Sequence, residues 1–206
     1  MKFTLTKDDP KRTTLVDEEG REVYKIATPR KFVRETTTIS HRSAGHPLSA
    51  TTTSEPLQGD ADSEEHVEGF TEFARIYWHT INPTELMFNG QKTALKEAMV
   101  AKGFLYRDRQ FQGPNGISYR WKMPSTGHLE LYVDDESKTQ VATLHGASMG
   151  ILNKKHPAIL EIHPVGEHMV DLIVATFVYV EHIRIERERA NMYNPVAYGL
   201  YKSLLS

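Results

Sequence analysis

The sequence predicts a mainly β protein: a closed antiparallel barrel of about twelve strands around a buried hydrophobic C-terminal helix. Three observations carry this expectation. Short β-branched and aromatic runs recur from Phe3 to His163, with turn residues at the roughly 8–12-residue spacing of sandwiches and barrels. Late in the chain, Met169, Val170, Leu172, Ile173, Val174, Ala175, Phe177, Val178, Tyr179 and Val180 cover every face of a helix, and such a helix is buried all round or spans a membrane. That apolar run is far shorter than the roughly 20 residues a bilayer crossing needs. A sandwich would cover this helix on one side only. A closed sheet covers all sides and removes edge strands.

The elements follow in order. Phe3–Thr6 is a brief strand. Thr13–Val16 and Arg21–Ala27 flank Asp17-Glu18-Glu19-Gly20, a turn whose glycine supplies positive φ, and so form a hairpin. Glu35–Ser40 is a threonine-rich strand. From Gly69 to His79, Phe70, Ala74, Ile76 and Trp78 share one face at period two, with Glu72 as the exception. Glu85–Phe88 and Gln91–Thr93 flank Asn89-Gly90, a strong hairpin signal. Ala94–Lys102 has helical spacing, with Gly103 placed to terminate it. Arg109–Gln112 and Ile117–Lys122 pair across Gly113-Pro114-Asn115-Gly116, and His128–Val133 and Thr139–His145 pair across an acidic turn. Ala158–His163 is the last strand before the helix over 168–190. Beyond the apolar run, Glu181, Arg184, Glu186, Arg187, Glu188 and Arg189 are expected to project from the barrel mouth into water. Asp171 in the first turn suits the positive end of the helix dipole.

The organisation expected is one domain over 1–190, with 41–67 a flexible insertion and 191–206 a C-terminal tail. The 41–67 stretch is rich in Ser, Thr and acids and has almost no large apolar residues, so it cannot bury enough area to offset its ordering entropy. Of 206 residues, 39% are hydrophobic, enough for a substantial core, and 25% are charged. A net charge of -2 argues against a polyanion binder by bulk charge. With no cysteine, disulfide scaffolds, iron–sulfur and thiolate zinc sites and cysteine nucleophiles are excluded. The N-terminus turns polar within a few residues and carries no signal-type apolar stretch. An intracellular, cytoplasmic protein, with room for peripheral membrane association, is the expectation.

Several blocks resemble a known family. These are TTLVDEEGREVYKIATP, FARIYWH, the Asn-Gly hairpin, RQFQGPNGISYRWK and, most specifically, GEHMVDLIVATFVYVEHIRIERE. Together they resemble a fungal domain of unknown function, DUF6593. That family is similar in turn to tubby C-terminal-like and phospholipid-scramblase-like (LURP-one-related) barrels. The resemblance implies a twelve-stranded barrel closed around a hydrophobic C-terminal helix, and no established activity; fold analogy alone does not carry function.

The chemistry-bearing motifs are sparse. Ten histidines invite a metal, with His163 and His168 closest to a pair, but no HExxH and no calcium loop occurs, so strand-end and cap roles are expected and no metal or cofactor. Nucleophile elbows, S-x-x-K and phosphate loops are absent, so no enzyme activity is expected. Basic residues give the one functional lead. Between Gly90 and Ser125 stand Lys92, Lys96, Lys102, Arg107, Arg109, Arg120 and Lys122 against only Glu97 and Asp108. From these, Lys92, Lys96, Arg107, Arg109, Arg120 and Lys122 are the candidate site for anionic lipid, because bases near an anionic surface gain about 1 kcal/mol each. Arg109 and Arg120, on paired strands, are expected to share a patch; an ordinary solvated face is the bland alternative. The aromatics between these bases could stack on nucleic-acid bases, but filling the barrel is the stronger expectation. The other reading is a protein-interaction scaffold using the 41–67 loop and the apolar tail.

Overall fold

The computed structural model describes residues 1–29, 35–43, 69–79, 81–124, 128–148 and 156–193. Most of the expected insertion and most of the expected tail lie outside the described residues, and with them the scaffold reading. Alternating apolar residues in short runs give two meanders. The first is β1 (Lys2–Leu5), β2 (Thr13–Val16), β3 (Glu22–Ala27), β4 (Glu35–Arg42), β5 (Phe70–Trp78), β6 (Glu85–Phe88) and β7 (Gln91–Ala94). The second is β8 (Val100–Lys102), β9 (Asp108–Gln112), β10 (Ser118–Lys122), β11 (Leu129–Val133), β12 (Gln140–His145) and β13 (Ile159–Ile162). Strand β1 pairs antiparallel with β13, Phe3 opposite Leu160, and so joins both meanders into one 13-stranded sheet.

The sheet is not closed into a barrel, contrary to the expectation. Its edges are β7 and β8, and no ladder joins them. Between them lies α1, only Leu95–Ala98. The helix expected over 94–102 is therefore one turn followed by a strand. Leu95 and Met99, one turn apart, are both buried, while β-branched Val100 starts the pairing with β9. At this seam the backbone is spent on the turn: Met99 N–H donates to the Leu95 carbonyl, and Leu95 N–H to that of Thr84.

Strand β5 departs from simple alternation. Its ladder with β4 shifts between Ile39 and Ser40, so Ile39 faces Ala74 while Ser40 faces Glu72. The extra residue, Phe73, lets both Phe73 and Ala74 be buried. Such a bulge inverts which parity points inward, and this is why Glu72 interrupts the apolar face read from the sequence. Its carboxylate instead pairs with Arg75 at 2.7 Å.

A 3-10 turn, Pro164–Met169, leads into α2 (Val170–Tyr193). It can pack this closely because a Cβ on Gly166 would come within 2.8 Å of Val141 and 3.0 Å of Ile173. Ile173 to Val178 are buried without interruption, which puts all sides of the helix out of water. Each large apolar side chain there contributes about 1.5–3 kcal/mol. The helix meets both meanders. Trp121 Nε1 of β10 donates to Thr176 Oγ1 at 3.0 Å, and Trp78 of β5 stacks on Tyr179. The charged end departs from expectation in part: Glu186, Glu188 and Arg189 are exposed, but Arg184 and Arg187 are half-buried and Glu181 is only 5% exposed.

Candidate anion-binding site

The six basic residues singled out by the sequence do not form one patch. In the β9–β10 ladder Arg109 lies opposite Trp121, and Arg120 lies opposite Gln110. Paired residues share a face, and neighbours along a strand do not. Since Trp121 is fully buried, Arg109 belongs to the inner row and Arg120 and Gln110 to the outer one. On that outer face Arg120 Nη2 is 2.8 Å from the Asp134 carboxylate, to which Gln110 also donates at 2.6 Å. Lys122 lies opposite Glu130 on β11 of the next ladder, with its ammonium 4.7 Å from the Tyr132 ring centroid. Lys92, on the edge strand β7, is 2.7 Å from Glu85 and sits over Tyr77. Lys96 is exposed on α1.

Arg107 and Arg109 stay together, and a third arginine joins them. The chain reaches them through a constrained turn. Gly103 has φ +74°, and a Cβ there would lie 2.5 Å from Asp108 Oδ2, so only glycine fits. Phe104–Tyr106 then form a single 3-10 turn in which Leu105 has φ +57°, a left-handed conformation costing about 1–2 kcal/mol for a non-glycine residue. Arg109 Nη1 donates to the Asp108 carbonyl at 2.9 Å and to the Arg107 carbonyl at 3.3 Å. From α2, Arg187 Nη1 donates to that same Arg107 carbonyl at 3.4 Å. Two guanidinium groups from different elements thus share one acceptor, beside the backbone of a third arginine. Burial holds Arg187 below the usual arginine range, and the neighbouring Arg109 and Arg107 charges add to the effect. Guanidinium groups gathered this way offer planar forks of N–H donors, the geometry that matches phosphate and carboxylate.

Arg187 was missed as a site residue, although the sequence carried a signal. Arg184 has Glu181 and Glu188 at helical ion-pair spacing, and Arg189 has Glu186. Arg187 has Ile183, Arg184, Ala190 and Asn191 at those spacings.

A family model covers residues 8–186 of this sequence. The chain belongs to DUF6593, a family of unknown function. Arg107 and Arg109 lie inside the matched DUF6593 span, and Arg187 is the first residue beyond it. No curated protein and no solved structure matches the chain.

Two other polar clusters of this DUF6593 domain lie at opposite ends of the buried stretch of α2. At its start, the Tyr24 hydroxyl donates to Asp171 Oδ1 at 2.7 Å, and His41 Nδ1 is 3.2 Å from Oδ2. Further along, a cleft of about 210 Å³ is lined by Leu5, Asp8, Asp9, Leu144, Glu181 and Arg184, among others. Arg184 grips Glu181 through two bonds of 2.7 Å and also reaches Glu188. Burial pushes the Glu181 carboxyl up despite Arg184, and the same burial, with Lys11 nearby, pushes His182 down. Among the described residues no group of three or more His, Asp or Glu could hold a metal ion, and no helix is long and apolar enough to cross a membrane.

Proposed function

We propose that this DUF6593 domain is a non-enzymatic module that binds anionic phospholipid at a membrane surface through Arg107, Arg109 and Arg187. The observation that carries the reading is the convergence of Arg109 and Arg187 on the Arg107 carbonyl. Guanidinium groups gathered at one acceptor bring several forks of N–H donors together. Phosphate is the anion whose shape and charge the guanidinium fork suits best. Of the bases expected from sequence, Arg107 and Arg109 therefore carry the site. Arg120 and Lys122 lie on the outer face of the sheet and Lys92 on its edge strand, away from this convergence.

Co-sedimentation with phosphatidylcholine vesicles, with and without phosphoinositide, tests this. The wild type should pellet with the phosphoinositide vesicles only, and less as salt is raised. R109E/R187E should stay in the supernatant, while K122E should pellet like the wild type. Equal, negligible pelleting of wild type and R109E/R187E would remove the proposal, and a thermal melt of each variant separates lost binding from lost folding.

A further inference from the structure

The cleft beside Glu181 has an apolar floor and an acidic wall. Leu5, Leu144 and Ala158 line the floor and are all buried, and the Leu5 N–H donates to the Ala158 carbonyl at 2.9 Å. To the wall, α2 contributes Glu181, Arg184 and Glu188, and the β1–β2 connection contributes Asp8 and Asp9. Arg184 commits every nitrogen of its guanidinium to this wall. Nε and Nη2 each donate to one oxygen of Glu181 at 2.7 Å, and Nη1 donates to Glu188. Asp9 accepts from the Lys11 backbone N–H at 3.0 Å and lies 3.5 Å from Arg12. Acids therefore outnumber bases here even with Arg12 counted. Burial raises the Glu181 carboxyl, Arg184 opposes the rise, and the Glu188 and Asp8 charges add to it. The cleft thus gathers negative charge that its own side chains do not balance.

We infer that this cleft takes an alkylammonium group, with the ammonium between Asp8, Glu181 and Glu188 and the methylenes on Leu5, Leu144 and Ala158. The phosphate reading is not needed for this. The surplus of carboxylates selects a cation. Among the described residues no three His, Asp or Glu are placed to hold a metal ion, so the cation that fits is a larger one with an apolar stem. A lysine-like chain lays its methylenes on apolar surface and keeps its charged head among polar groups. An ammonium has three N–H donors to share among separate carboxylates. A guanidinium fork instead pairs with one carboxylate through two bonds, and Arg184 already does so at Glu181. Size agrees with a single chain. A cleft of about 210 Å³ has room for about seven waters at about 30 Å³ each, below the roughly 300–1,000 Å³ of sites for drug-sized ligands.

The test titrates the full chain with pentylamine by calorimetry. Pentanol serves as the uncharged analogue, and tetramethylammonium as a cation without N–H donors. Methyl NMR of Leu5, Leu144 and Ala158 reports where the ligand sits. D8N/E188Q removes charge at two exposed positions and leaves the Arg184–Glu181 clasp in place; a thermal melt checks its fold. Pentylamine should bind and shift the floor methyls, and pentanol and tetramethylammonium should do neither. D8N/E188Q should bind pentylamine about tenfold or more weakly. N-acetyl-lysine methylamide distinguishes the source of the ammonium. Binding as tight as that of pentylamine makes the ligand a lysine side chain of a partner protein, and weaker binding makes it a free amine. Failure of pentylamine to bind, unchanged binding by folded D8N/E188Q, or equal binding of tetramethylammonium would overturn the proposal. If D8N/E188Q does not fold, the floor methyls and the tetramethylammonium control decide. Vesicle pelleting of R109E/R187E is unaffected by any of these results, so the two readings fall separately.

Discussion

The two ends of the buried stretch of α2 solve the same problem differently. At its start one carboxylate, Asp171, is met by a phenol from β3 and an imidazole from β4, and remains partly open to water. About three turns on, Glu181 is buried and meets the guanidinium of Arg184 in a two-bonded clasp. Neighbouring strands supply the first network, and the second lies within one helix turn. The first keeps solvent as a partner, so losing one bond costs little. The second removes two charges from water, so breaking it strands one of them. The same end of the helix carries Arg187 toward β9. A fixed, buried clasp thus lies one turn before the arginine proposed to bind phosphate.

Phe177→Asp, between the two ends, should abolish the cooperative melt altogether. An unpaired charge at that fully buried position costs several kcal/mol against a total stability of about 5–15. A melt close to wild type would show that the ends are not held by a common core. Arg184→Ala comes next: it leaves Glu181 buried, and urea unfolding should show a loss of about 3 kcal/mol, largely recovered in R184A/E181Q. A loss no larger than that of a surface pair would mean that the clasp behaves like the solvated network. Tyr24→Phe should be mildest, about 1 kcal/mol by the same urea titration, because Asp171 keeps water and His41. If Tyr24→Phe cost as much as Arg184→Ala, the contrast between the ends would disappear.

Much of this was legible in the sequence. Asn89-Gly90 and Gly113–Gly116 marked hairpins that the structure forms, and the all-round apolar run marked a helix that is buried along Ile173–Val178. Closure was not legible, because whether β7 meets β8 depends on how residues 94–99 use their backbone groups, and Leu95, Ala98 and Met99 fit a helical spacing while Val100 starts a strand. The bulge left one trace, the misplaced Glu72. At the candidate site, counting charges found Arg107 and Arg109. It could not separate Arg109 from Arg120, because that turns on a single step of register in the β9–β10 ladder. Arg187 could have been found by asking which helix arginine has no acid three or four residues away in the sequence.

The ladder between β1 and β13 has a kinetic consequence. Every other ladder joins strands adjacent in the chain, so each meander can zip up locally. Only the β1–β13 ladder, with Phe3 meeting Leu160, requires the first and last strands along the chain to find each other, and the entropy of closing so long a loop must be spent before that ladder returns anything. Strand β13 also directly precedes the 3-10 turn and α2. Docking β1 on β13 and burying the helix are therefore expected to be one late event in folding, and a chain paused before it would hold two open meanders with their apolar faces exposed.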